Sequence, residues 1–104
     1  MNYQLHAYNM TDVAGHCLAG SLDWWRPYDE YSSAVEDAVQ YADRWVFESS
    51  GWHLTPEEKI IGRAKLWSGF AWVMTELNFY LKVVRRGDEF WADDDTPVCQ
   101  VDPH

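Results

Sequence analysis

Residues 55–87, TPEEKIIGRAKLWSGFAWVMTELNFYLKVVRRG, decide the fold, because two periodicities run through them at once. The start is plain. Thr55 is placed to cap a helix, Pro56 suits its first position, and Glu57 and Glu58 suit its electropositive first turn, with Glu58 completing a capping box. Ile60, Ala64, Trp67 and Ala71 then continue one helical face. Beyond Ser68-Gly69 the reading divides. A helical reading carries on through Phe70, Val73/Met74, Leu77, Leu81 and Val84, ends on Arg85-Arg86 and caps at Gly87. A strand reading alternates Leu77, Phe79, Leu81 and Val83 with Asn78, Tyr80 and Lys82, then turns at Arg86-Gly87-Asp88 into Glu89–Ala92. Cap, stripe, basic end and terminal glycine agree with one another, so the spacing favours one helix, bent near Ser68-Gly69.

Upstream lies a second helical pattern. Tyr31, Val35, Ala38, Ala42, Trp45 and Ser49 repeat at helical spacing, widened by Val39 and Val46, which predicts an acidic amphipathic helix over about 29–49. Ser33 with Glu36 makes a capping box, Asp29 offers a start one turn earlier, and Ser49-Ser50-Gly51 ends it. Thr11 and Asp12 before Val13, Ala14, Cys17 and Leu18 predict a short helix over about 12–19. Residues 2–8 alternate as a weak strand, and Ser21–Pro27 reads as a connector whose proline opens the next helix. The fold expected is mainly α: a single-domain helical hairpin or bundle over residues 1–104, with a short N-terminal strand and an acidic irregular tail over 93–104. The alternative is α+β with a C-terminal β-hairpin around residues 77–92.

A chain of 104 residues is one domain of ordinary size. Its seven tryptophans, six tyrosines and four phenylalanines supply the bulk of a core. Trp45 and Trp67 sit on apolar stripes and are expected inside. Trp24, Trp25, Trp52 and Trp91 fall near element ends, where a ring serves as plug or handle. The formal charge is −9, and it is unevenly laid out. Residues 1–58 hold ten acids against two bases, 59–86 six bases against Glu76 alone, and 87–104 six acids and no base. That balance argues against direct binding to nucleic acid or an anionic membrane and favours a basic protein partner. The first ten residues lack a signal-peptide pattern, the longest apolar run is far below a membrane span, and two cysteines make no disulfide framework. A reducing, cytoplasmic setting with free thiols follows.

No chemical motif stands out. His6, His16, Cys17, His53, Cys99 and His104 lack the close spacing of a structural zinc site. Cys17 lies on an apolar helix face without a local nucleophile signature. Asp93–Asp95 lacks the glycine and later glutamate of a calcium loop, and no glycine-rich phosphate cradle is present. The expectation is a protein that is not an enzyme and carries no cofactor or metal.

What remains is surface. Asp29, Glu30, Glu36, Asp37, Asp43 and Glu48 form a candidate acidic face, with Trp24, Trp25, Trp52 and Trp91 as candidate anchors. Small size, acidity and the missing catalytic signature are in the style of phage and mobile-element inhibitors of host nucleic-acid-handling systems, such as anti-CRISPR and antirestriction proteins, although no motif identifies such a family. The leading expectation is an acidic inhibitor that occupies the basic nucleic-acid-binding surface of a host protein. The alternatives are an accessory subunit, homodimeric through the helical hairpin, and a small enzyme of unrecognised type.

Overall fold

The computed structural model describes residues 1–10 and 21–98. The helix expected over 12–19, and with it His16, Cys17, Cys99 and His104, lies outside them. Strand β1 (Tyr3–Asn9) is followed by β2 (Ser21–Tyr28), helix α1 (Tyr31–Ser50), helix α2 (Pro56–Trp67), and strands β3 (Trp72–Met74) and β4 (Phe79–Arg85). The strands form one antiparallel sheet in the order β2-β1-β4-β3. Both helices pack on one of its faces. The architecture is α+β, so the mainly helical expectation is wrong.

The helical reading of residues 70–84 fails at two backbone positions. Gly69 adopts φ +82 and Asn78 φ +58, left-handed conformations that interrupt a helix on either side of β3. Between and after them, alternation wins. Phe79, Leu81 and Val83 are buried on the helix side, and β4 pairs with both β1 and β3. The alternative hairpin is also misplaced. The turn at Gly87 (φ +93) is present, but β4 pairs with β3, and residues 89–92 form no strand. They cross the sheet's other face instead. Ser21–Pro27, read as a connector, is the outer strand β2, where Pro27 is tolerated because an edge strand has a side with no ladder to complete.

The helix α1 keeps its expected span. Its N-cap is Glu30, which makes no side-chain capping bond, so the Ser33–Glu36 box is not used. Gly51 ends it at φ +81 and donates its N–H to the Phe47 carbonyl. Ala34, Val35, Ala38, Val39 and Ala42 are buried, and the three alanines let the helix lie close against the sheet. Trp45, expected inside, lies against Tyr41 and edge-on to Phe79 at the border of the core and stays 37% exposed.

The expected capping box of α2 forms. The Thr55 hydroxyl accepts from the Glu58 N–H at 3.2 Å, and Glu58 Oε1 accepts from the Thr55 N–H at 2.9 Å. A Thr55→Ala variant is expected to lose about 1 kcal/mol of stability, measurable by urea unfolding. The packed face of α2 is not the one its apolar stripe predicts. Gly62 and Leu66 are buried, and Lys59 and Arg63 turn towards α1. Ile60, Ala64 and Trp67 face outward.

Candidate functional site: an interaction surface

Four of the six acids proposed for the α1 face have partners within the molecule. Glu36 takes a two-pronged contact from Arg63, with Nε 2.8 Å from Oε2 and Nη2 2.9 Å from Oε1. That hydrogen-bonded guanidinium holds the Glu36 carboxyl below its ordinary range. Asp37 accepts from the Tyr28 hydroxyl at 2.8 Å. Asp43 accepts from the Leu54 N–H at 2.7 Å, with His53 Nδ1 at 2.9 Å and Lys59 Nζ at 4.0 Å. Burial pushes the Asp43 carboxyl up, but the Leu54 amide and the His53 ring outweigh it and hold the group low. Asp29 and Glu30 are exposed at the start of α1 and Glu48 near its end. Asp29 lies 3.4 Å from the Met1 amino group. At 1.5 Å per residue, Glu30 and Glu48 are about 27 Å apart along the axis. The free acids of α1 therefore flank the helix rather than form a stripe along it.

Most bases are held down locally. Besides Lys59 and Arg63, Arg26 lies over Trp24, Arg44 over Tyr41, Lys82 over Phe90, Arg85 over Tyr31 and Arg86 over Trp91, at 4.6–5.8 Å from the ring centroids. Such contacts leave the charge in place but fix where it points. Glu57, Glu58, Glu76, Glu89 and Asp93–Asp95 are all exposed. Asp93 and Thr96 fold that last acidic run into a turn.

The four candidate tryptophans separate clearly. Trp24 is half-buried and donates its Nε1–H to the Tyr41 hydroxyl at 3.0 Å. Trp25 lies on the neighbouring strand position, opposite His6. Trp91 is half-buried against Arg86. Trp52 alone of the four is a free handle, 76% exposed. The residues that sequence reasoning missed are aliphatic and aromatic neighbours of α2. Phe70 is 67% exposed, Ile60 63%, Ile61 53%, Trp67 51% and Val73 42%. The correction for Trp67 is that its stripe looks to solvent. The signal was present, since Ile60, Ala64 and Trp67 do share one face, but periodicity does not say whether that face turns inward.

Ile61 also borders a groove of about 310 Å³ beside β3, whose apolar wall includes Val46, Leu54, Trp72, Met74 and Leu77. Its charged lining residues are Glu58 and Glu76. A second hollow, of about 540 Å³, is lined by Tyr8, Phe70, Val73, Tyr80, Lys82 and Phe90.

The chain matches no known family, no curated protein and no solved structure.

One buried polar group invites a catalytic reading. On the sheet face away from the helices, His6 Nε2 lies 2.8 Å from Gln4 Oε1, and Nδ1 2.8 Å from the Tyr8 hydroxyl. Gln4 Oε1 accepts only, and it also takes the Ala92 N–H at 2.8 Å while Gln4 Nε2 donates to the Ala92 carbonyl at 2.6 Å. His6 therefore carries its proton on Nε2, and Tyr8 donates to Nδ1. Burial, with Lys82 nearby, lowers the His6 pKa to about 4 against a smaller opposing pull from Asp88. Burial, then Tyr80 and Asp88, raises Tyr8 to about 12. Both groups are driven to their neutral forms and away from the range where a base and a nucleophile work near pH 7. The network reads as a clasp on the chain at Ala92. Among the described residues no helix is long and apolar enough to cross a membrane, and no three His, Cys, Asp or Glu side chains converge as metal ligands.

Proposed function

We propose that this chain is a non-catalytic binding protein that docks on a basic partner in the cytoplasm, through apolar anchors set among carboxylates. The partner surface it occupies is one used for nucleic acid, in the manner of anti-CRISPR and antirestriction inhibitors. The observation that carries the reading is the group of large apolar side chains at the surface of a −9 chain: Trp52, Ile60, Trp67 and Phe70. Exposed tryptophans are favoured as anchors at binding surfaces. Surrounding acids steer a basic partner and reject an acidic one. Strict phosphate mimicry by α1 is the weaker part of the idea, because Glu36, Asp37 and Asp43 have partners at home.

The test is capture from a bacterial lysate by the immobilised protein at low and high salt. Expected is enrichment of nucleic-acid-binding proteins at low salt that added DNA displaces. A Trp52→Ala variant should retain at most a tenth of the capture, as befits an aromatic anchor. No enrichment at low salt, or enrichment indifferent to DNA, would sink this reading. The outward face of α2 favours a second one, an accessory subunit that pairs with its own copy. Light scattering that gives a strict monomer removes it.

A further inference from the structure

The groove beside β3 and the strand itself form a single feature. Among the described residues β3 ends the sheet and is paired on its β4 side alone, through Trp72↔Leu81, Val73↔Tyr80 and Met74↔Phe79. An outer strand presents unpaired backbone donors and acceptors, and proteins usually guard such edges with lysine, proline or a bulge. Here the edge reads Trp-Val-Met, with Val73 exposed, and brevity is its one protection. Trp72 and Met74 turn to the helix side, where the apolar groove runs along the same edge, so backbone and side-chain sites lie together.

We propose that this edge receives an extended segment of the basic partner as a fifth strand, with one or two apolar side chains in the groove and Lys or Arg flanking them. Strand addition divides the work in this way: main-chain hydrogen bonds supply affinity and alternate side-chain pockets supply selection. The charge of the occupant follows from the lining. Among the described residues Glu58 and Glu76 are its charged lining, no base joins them, and the remaining polar side chains are the hydroxyls of Ser50 and Thr75. A second copy is disfavoured by the same residues. Edge-to-edge pairing of β3 about a two-fold axis would bring the acids of one copy towards those of the other, in a chain already at −9. The inference rests on the basic-partner reading and names the part of the partner recognised.

The experiment titrates the full chain with acetylated, amidated peptides and follows backbone amide shifts by NMR. Lys-Leu-Thr-Leu-Lys should shift the amides of Leu54, Ile61, Val73 and Met74 and saturate. Glu-Leu-Thr-Leu-Glu should bind at least tenfold more weakly. The basic peptide methylated at the threonine nitrogen should lose binding, because it cannot donate to the strand edge. Glu76→Lys should weaken the basic peptide several-fold with an unchanged urea midpoint. Shifts scattered over the other acidic segments, or equal binding by the methylated peptide, would overturn the proposal in favour of unspecific charge attraction. Peptide binding lost while DNA-sensitive lysate capture persists overturns the groove alone; capture lost while the peptide still binds overturns the partner reading alone.

Discussion

Gly62→Ala is expected to destabilise the protein by about 2 kcal/mol, although exchanging a helical glycine for alanine ordinarily stabilises by roughly 0.5–1 kcal/mol. The sign reverses because of Trp72. A Cβ built on Gly62 falls 2.5 Å from three atoms of the indole ring, Cε2, Cζ2 and Cη2. The ring is anchored on β3 and only 6% exposed, so it can give way only by turning towards the groove it borders, at the expense of its contacts in the core. Overpacking of this kind costs roughly 1–3 kcal/mol, enough to outweigh the gain in helix propensity. Urea unfolding of both proteins is the measurement. Trp72→Phe in the Gly62→Ala background should recover part of the loss, since the smaller ring vacates the space, and the double-mutant cycle reads that coupling. An alanine variant as stable as the parent would mean that α2 does not lie against Trp72 as described.

The second large effect is a loss of stability in mild acid, carried by His6. The ring is fully buried and its folded-state pKa of about 4 lies below the ordinary 6.5. In this case the unfolded chain binds the proton more readily than the folded one. Stability is therefore complete above pH 6.5, falls as the pH drops from 6.5 towards 4, and levels off below that. A shift of this size corresponds to about 3 kcal/mol. Protonation also removes the lone pair on Nδ1 that accepts from Tyr8. The check is the unfolding free energy of the parent and of His6→Gln at pH 7 and pH 4.5. Carboxylates such as Glu36 and Asp43 lower stability in acid in both proteins and cancel in the comparison. The parent should show the steeper decline; parallel declines would show that His6 takes up its proton as readily in the folded core as in the unfolded chain.

Much of what the sequence displays locally is in the structure. The Thr55–Glu58 box, the span of α1, the glycine that ends it and the alternation of β1 are all properties of neighbouring residues, and neighbours settle them. Residues 70–84 are different. Leu77 and Leu81 suit either period, and the partners of Phe79, Leu81 and Val83 are Asn9, Ala7 and Leu5 of β1, some seventy residues or more away. Nothing in the window itself distinguishes a helix from a strand completed by a distant one. The outward stripe of α2 was misjudged for a related reason. The face that packs is marked by Gly62, a residue with no side chain to register as apolar, and by Lys59 and Arg63, whose partners on α1 are invisible to periodicity. The candidate acids were legible as a charged helix face, but only tertiary structure shows that Arg63, Tyr28 and Leu54 reach three of them. Trp52 reads from sequence as a handle or a plug, and its 76% exposure rules out the plug.

The place of β1 in the sheet has a consequence for how the protein is made. It precedes the other described strands in the chain, yet it occupies an inner position, with Tyr3 opposite Tyr28 on one side and Arg85 on the other. β2 follows it in the described chain, but α1, α2 and β3 come before β4, which at roughly 5–20 residues per second arrives several seconds later. Until then one side of a strand carrying Leu5 and Ala7 is bare, and the Gln4–His6 pair has no Ala92 to close on. The nascent chain thus passes through a stage with a sticky, half-zipped sheet, and slower translation of the α1–α2 region would lengthen it. Yield in cells should depend on elongation rate and on chaperones that shield β1 more than on the stability of the finished fold.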